Sequence, residues 1–465
     1  MRHRWLVGFV LGAFVFSSMA APAAAAGGDK IVRTKSGLNG LNVINTVCRL
    51  VGCQVLLTLD VLPGSSQSGS LFLVRGLLDN TVNFLLSLLG LATIEPDLLV
   101  EIVPEDDWIE QQASSHVVDQ LWDQEPMTYY GSTAWRSYLV QPASEIVRLP
   151  EAHCSLRATG AGTVAIIDTG VDPEHPTLKP VLTQGYDFLR NSNVVTELLG
   201  QTLSNLGDAG VIWVNPSTAA VVNQASSHVV DDPDHTAYGH GTMVAGVVHL
   251  TAPTAKIMPL KAFGPDGKGR TSDLLRAVYY ATNKGAKVIN MSFSRPTSSR
   301  ELKLALDYAS ARGVILVGSA GNDGKATLAY PAAYDNVIGV ASTTNDDQRS
   351  SFSNYGSNLV TLAAPGEGVI TPFPGGGFAA ATGTSFSTPI VSGAAALLVG
   401  LKGTASASQV ASALSHAQLL TPDLGYGRTT LYEVVLAGRK MWPTAGSSAV
   451  PLTCGSHGQD WSEAQ

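Results

Sequence analysis

The sequence predicts an α/β protein: a mostly parallel sheet covered by helices on both faces, preceded by a small ferredoxin-like α+β module. Three observations carry this. From about residue 145 onward, short apolar runs of strand length alternate with helix-length segments, the pattern of strands joined by helical crossovers. Residues 29–104 show a separate β-α-β-β-α-β order, which is the ferredoxin-like arrangement. Apolar residues make up 45% of the 465 and charged residues only 14%, so the chain can bury a large core and is not a disordered protein. The net charge of −8 argues against nucleic acid as a partner, because a nucleic-acid binder usually shows a basic face.

Residues 1–26 have the form of a secretory signal peptide. Arg2, His3 and Arg4 form a basic start, and residues 5–16 form an apolar core too short to span a bilayer comfortably. Ser18-Met19-Ala20 and Ala24-Ala25-Ala26 then offer small residues for a signal peptidase. The expectation is export, to the extracellular space or periplasm, with no stable membrane anchor.

Residues 27–104 form the small module. The pattern predicts a strand over 30–33, a helix over 41–51, and strands over 54–59 and 70–75 around a Gly/Ser turn at 63–69. A second helix follows over 81–91 and a final strand over 97–103. Residues 105–139 are an acidic junction: from Glu95 to Glu125 there are ten acidic residues and no Lys or Arg. Gln112-Ala113-Ser114-Ser115-His116-Val117-Val118-Asp119 recurs word for word at 224–231, but two copies do not make a solenoid. A duplicated loop without function is the default reading.

An exported chain meets oxidising conditions, so its four cysteines can pair. Three pairings exist and sequence does not choose among them. The reading leans to Cys48–Cys53 with Cys154–Cys454, and free buried thiols are the alternative.

Residues 140–440 form the large domain and 441–465 a tail. Strands are expected over 163–167, 256–263, 287–293, 314–317, 337–340 and 360–363. Helices are expected over 272–284, ended by Gly285, and over 301–312, ended by Gly313. Ligands of such sheets bind beyond the carboxyl ends of the strands, so the loops just after strands are where chemistry is sought.

Those loops hold unusual words. Asp168 follows a strand in Asp168-Thr169-Gly170-Val171-Asp172. His240 lies in Gly239-His240-Gly241-Thr242-Met243-Val244-Ala245-Gly246, and Ser385 in Gly383-Thr384-Ser385-Phe386-Ser387-Thr388-Pro389, which opens an apolar helix. A serine hydroxyl is a weak nucleophile at neutral pH and needs an adjacent base. Histidine can take that proton and return it to the leaving group, while a carboxylate fixes its tautomer and stabilises its charged form. A helix N-terminus beneath the serine adds partial positive charge for a developing oxyanion.

The order Asp…His…Ser with these flanking words resembles the subtilisin-like serine peptidases. A further match is Ser319-Ala320-Gly321-Asn322-Asp323-Gly324. The resemblance implies a serine endopeptidase with Ser385 as nucleophile, His240 as base, Asp168 as its orienter, and Asn322 beside the Ser385 N–H as oxyanion donors. Loss of such a donor costs about 2.7–4 kcal/mol, a range that itself comes from subtilisin. The family also implies that the first module is a propeptide, an inhibitory partner of its own enzyme, cut off within 103–136. Polypeptides are the implied substrates. Gly269, within Lys268-Gly269-Arg270, and Ser292-Phe293-Ser294 resemble segments that pair with an extended peptide on either side, and Ser319-Ala320-Gly321 would wall the pocket for the residue before the cut.

The chain departs from the family where Ser294 and Arg295 replace a usually glycine-rich segment, and where an insertion around 196–232 separates Asp168 from His240. The loop that holds calcium in many relatives is missing after Val248, so no metal site and no cofactor are expected. The alternatives are a catalytically silent peptide-binding protein of the same fold and a transpeptidase using the same acyl-enzyme. Asp168-Thr169-Gly170 lacks the second such word that an aspartic protease needs. Gly160-Ala161-Gly162 precedes a strand rather than following one, against a dinucleotide site.

Overall fold

In the computed structural model of the chain, residues 29–35, 39–63, 69–76, 92–101, 123–196 and 237–443 are described. The signal segment, the helix expected over 81–91, both copies of the duplicated segment, nearly all of the 196–232 insertion, Cys454 and most of the tail lie outside the described residues.

The large domain is built on seven parallel strands in the spatial order Leu362–Pro365, Val337–Thr343, Ile315–Ser319, Val288–Met291, Thr163–Asp168, Lys256–Lys261, Tyr186–Asp187. Its strands are apolar on both faces because both faces are covered. Val164 and Ile166 pack into one core cluster while Ala165 and Ile167 pack into the other. The first cluster joins the helices His240–Thr251 and Thr384–Leu401 to the sheet; the second joins Thr271–Asn283 and Arg300–Ser310. Alternate residues of a strand face opposite ways, so one run of apolar residues serves both layers.

The helix Thr384–Leu401 is long and apolar enough to cross a membrane, yet 89% of its apolar window is buried within the protein. A helix apolar all round belongs in a core, and this one packs against both the sheet and the helix His240–Thr251. Strand Thr163–Asp168 lies between Val288–Met291 and Lys256–Lys261, so the strand order reverses beside it. That is the crevice where ligands of open parallel sheets bind.

Two hairpins escape the sequence pattern. Pro126–Tyr129 pairs with Ser132–Trp135, and Val369–Phe373 with Gly377–Ala381. The first turns at Tyr130 and Gly131, both at positive φ, so a tight two-residue turn replaces the longer Gly/Pro cluster that marks most loops. Residues 126–139 fall in the stretch read from sequence as junction; Tyr129, Ala134, Tyr138 and Leu139 are buried in the large domain's core.

The small module forms a four-stranded antiparallel sheet in the order Gln54–Thr58, Leu71–Arg75, Lys30–Thr34, Ala92–Pro96, with the helix Gly40–Val51 on it. Asn39 caps that helix by accepting from the Asn42 N–H. A disulfide joins Cys48 and Cys53 across its C-terminus, and Cys154 is disulfide-bonded as well. The final strand differs from the expected 97–103. Ala92–Pro96 completes the sheet, and Leu99–Glu101 leaves it to pair with the large domain. The Asp97 N–H still donates to the Asp29 carbonyl at 3.0 Å, and the two strands part after it.

Candidate active site

Asp168 stands at the carboxyl end of its strand, and His240 opens the helix His240–Thr251. His240 Nδ1 and Asp168 Oδ1 are 2.8 Å apart, and both side chains are buried. Asp168 Oδ1 also accepts from the Thr169 N–H at 2.8 Å, so the carboxylate is held in place while it holds the imidazole. Oδ1 bound to Nδ1–H leaves Nε2 as the ring's acceptor.

Glycines permit this contact. Gly239 caps the helix at φ 85, a left-handed conformation that suits glycine. A Cβ on Gly241 would lie 2.1 Å from the Gly170 carbonyl and 3.2 Å from the Asp168 side chain. The Gly241 N–H instead donates to Thr169 Oγ1 at 3.0 Å, tying the helix to the Asp168 loop. The buried Lys261 ammonium donates to the Thr169 carbonyl in the same loop.

Ser385 is the second residue of the helix Thr384–Leu401, where backbone N–H groups have no intrahelical acceptor. Its hydroxyl donates to the Ser292 carbonyl at 3.2 Å, and the Ser292 hydroxyl donates back to the Ser385 carbonyl at 2.8 Å. Phe386 packs on the His240 ring at 5.5 Å between centroids, which brings the start of this helix to the histidine. Behind Ser292, Asn290 Nδ2 donates to the Ser292 hydroxyl at 2.9 Å, and Asn290 Oδ1 accepts from Ser392 at 2.8 Å. The serine is therefore anchored to strand Val288–Met291 by a fully buried polar network.

Asn322 follows strand Ile315–Ser319. Its Oδ1 accepts from the Thr384 N–H at 3.0 Å and from the Thr384 hydroxyl at 2.8 Å. With Oδ1 so engaged, Nδ2 is the donor end of the amide turned away from Thr384, the residue that precedes Ser385 in the chain.

Gly269 is central in Lys268–Arg270, opposite Val100 in an antiparallel pairing with Leu99–Glu101. The edge formed by Lys268-Gly269-Arg270 thus already carries an extended segment. Ser292 touches Ser385 as described, whereas Phe293 is buried, its ring against Phe263. Ser319 Oγ donates to the Phe293 carbonyl at 3.2 Å, joining the 319–321 and 292–294 segments. Ala320 is buried, and a Cβ on Gly321 would lie 3.3 Å from Ser294 Oγ, so the two segments meet closely at these residues.

A buried serine–histidine contact lies elsewhere: Ser132 Oγ and His249 Nε2 are 3.1 Å apart. Burial pushes His249 down to about 3, Ser132 donates to the Tyr129 carbonyl, and no carboxylate engages the ring among the described residues. A base so weak and so enclosed cannot activate a hydroxyl at neutral pH. Thr169, Thr384, Asn290 and Ser392 escape sequence reasoning. For Asn290 a signal exists, a polar residue inside the apolar run Val288-Ile289-Asn290-Met291.

The small module docks beside this site through carboxylates. Glu95 accepts from the Ser299 hydroxyl at 2.5 Å and the Glu301 N–H at 3.2 Å, at the start of helix Arg300–Ser310. Asp97 accepts from the Ser272 N–H and hydroxyl, both at 2.8 Å, at the start of helix Thr271–Asn283. Arg33 meets the buried Glu301 at 2.6 Å. Free N–H groups and the helix dipole favour carboxylates at both positions.

The model of the subtilase family matches residues 160–439, more than half of the chain. Thermitase from Thermoactinomyces vulgaris is 34% identical over 252 residues, covering 54% of this chain and 79% of its own length. An alkaline protease from Shouchella clausii is 32% identical over 314 residues, with 65% and 69% covered. The M-protease of Shouchella clausii strain KSM-K16 is 31% identical over 348 residues, with 72% and 76% covered.

Proposed function

Because this chain belongs to the subtilase family and is a serine endopeptidase, we propose that Ser385 is its nucleophile, His240 its base, Asp168 the orienter of His240, and Asn322 an oxyanion donor. The observation that carries this reading is the buried 2.8 Å contact between Asp168 and His240, with the Ser385 helix start packed against the same ring.

The chemistry runs in two halves. Ser385 Oγ turns from the Ser292 carbonyl to His240 Nε2, gives up its proton there and attacks the peptide carbonyl. The negative charge that develops on the carbonyl oxygen is met by Asn322 Nδ2 and the Ser385 N–H. His240 passes the proton to the leaving amine, and the acyl-enzyme remains on Ser385. Water then enters, gives a proton to His240 and attacks the acyl carbon; the bond to Ser385 Oγ breaks, His240 returns the proton to that oxygen, and the acid leaves. Asp168 stays ionised throughout and stabilises the imidazolium.

The substrate lies extended along Lys268–Arg270 on one side and Ser292-Phe293-Ser294 on the other, with Ser319-Ala320-Gly321 walling the pocket before the cut. The pairing of Leu99–Glu101 with Lys268–Arg270 supports the first of these edges. The same pairing, with Glu95 and Asp97 on two helix starts, supports a further reading: the small module is a propeptide that sits on its own enzyme until removed. The core position of residues 126–135 supports a maturation cut ahead of them. The basic start, apolar core and small-residue sites of residues 1–26 support secretion.

Substituting Ser385→Ala in the full chain tests the central assignment. The expected protein folds, cleaves no peptide and keeps its N-terminal module uncut. Wild-type cleavage rates from the variant would overturn it.

A further inference from the structure

A cavity of about 560 Å3 on the rim of the cleft is lined by Asp97, Leu98, Arg270, Arg295, Pro296 and Thr297. Only Asp97 and Leu98 come from the small module. Asp97 is held by the first turn of helix Thr271–Asn283, through Ser272, and that helix has no side-chain cap from its own preceding residue, Arg270. A carboxylate thus already occupies a place that the large domain builds.

Arg295 is a second, independent observation. It is 6% exposed; its guanidinium donates to the hydroxyls of Thr271 and Thr297, both at 3.1 Å, and its buried Nε has no partner. No carboxylate pairs with it among the described residues, so a cation is buried with only neutral partners. A buried charge without a counter-ion is costly, and supplying one is favourable. The carboxylate that acts on it across space is Glu95, again from the small module. Arg270 is exposed, and its charge acts on Asp97. Asp273, the acidic residue on the same first turn, is engaged by Arg276 at 3.1 Å.

We propose that the processed enzyme keeps this cavity as an acid-selecting substrate subsite, filled by Asp97 in the precursor and afterwards by an acidic side chain of the substrate. Ser272, Arg270 and Arg295 are its specificity-determining residues. The proposal rests on the reading that the small module is a removable propeptide. In the register seen here, Leu99–Glu101 lies along Lys268–Arg270, and Asp97 falls two residues before the paired stretch. A substrate in the same register places its Asp or Glu there, upstream of the residues that line the scissile bond.

The test uses enzyme matured from the full chain. A peptide library is cleaved and each upstream position is scored; a pair of peptides differing only by Asp or Asn at the selected position then gives kcat/KM. The expected preference for Asp is about tenfold or more at low salt, the scale of a charge-assisted bond. It falls to about twofold or less in Arg295→Gln and in Arg270→Gln, by loss of that bond. Arg270 is exposed, so its variant folds even where the buried Arg295 variant does not. Equal rates on both peptides in wild type, or a preference that survives in Arg270→Gln and Arg295→Gln, overturns the subsite. Absence of cleavage on every peptide overturns the peptidase reading beneath it, and so the two failures differ in their signature.

Discussion

Thr384 fixes Asn322 by donating twice to its Oδ1, which commits the amide nitrogen to the other side. Asn322→Ala is therefore expected to lower kcat by about 100- to 1000-fold with KM little changed, the loss seen for this donor in subtilisin; steady-state kinetics on a peptide substrate measure it. As candidates, Asp168, His240, Asn322 and Ser385 stand out in the sequence because each sits in a distinctive word after a strand or at a helix start. Their supports do not. Thr384 looks like any helix-start residue and Ser392 like any small helix residue, and only the fold brings Ser392 to Asn290. Asn290→Leu leaves the Ser392 hydroxyl without its buried acceptor, at about 1–3 kcal/mol, and removes the donor to the Ser292 hydroxyl. The expected variant melts earlier and loses kcat more than KM, because Ser292, which still donates to the Ser385 carbonyl, is no longer fixed by Asn290 from behind; calorimetry and kinetics read the two effects separately.

The helix His240–Thr251 meets the Asp168 loop so closely that position 241 has no room for a side chain. Gly241→Ala should push the helix start off the Asp168 loop, breaking the bond to Thr169 and moving the imidazole. A displacement of about 1 Å costs on the order of 100-fold in rate. The expected outcome is that loss in kcat with an unchanged far-UV circular dichroism spectrum; full activity would show that the contact can relax. Most parallel strands and their helices were readable, since unbroken apolar runs bounded by glycine leave few alternatives. Val337–Thr343 ran three residues beyond its expected end, where Ser342 and Thr343 are polar yet buried. The hairpin Val369–Phe373 with Gly377–Ala381 was missed because it is apolar on consecutive positions and turns through Pro374-Gly375-Gly376, which reads as loop. The module's last strand was misplaced because the strand divides its length between two sheets, a tertiary choice that no local pattern records.

Over the whole molecule, charge and protonation set two further expectations. His153 and His249 are fully buried, and desolvation pushes them down from 6.5 to about 4 and about 3. Neutral in the folded protein, they take up protons on unfolding below pH 6.5, so their contribution to stability is complete above 6.5 and is lost as pH falls towards 4 and 3. Each group then weakens folding by about tenfold per pH unit in its window. Thermal melting should show Tm rising with pH from 4 to 6.5, and a flat profile there would contradict it. Residues 1–135 hold 7 Lys/Arg against 13 Asp/Glu and residues 136–465 hold 22 against 24, so most of the net −8 lies with the segments read as removable. Two of those acids, Glu95 and Asp97, dock the module on helix starts. Glu95→Ala should weaken inhibition of the mature enzyme by the added module, by about tenfold for a lost carboxylate at a helix start, measured as an inhibition constant. The most direct test of the central claim is labelling of the matured protein with a serine-directed fluorophosphonate, read by peptide mass spectrometry. The expected result is a single adduct on Ser385 that disappears in His240→Ala; an adduct on another serine, or undiminished labelling without His240, would contradict it.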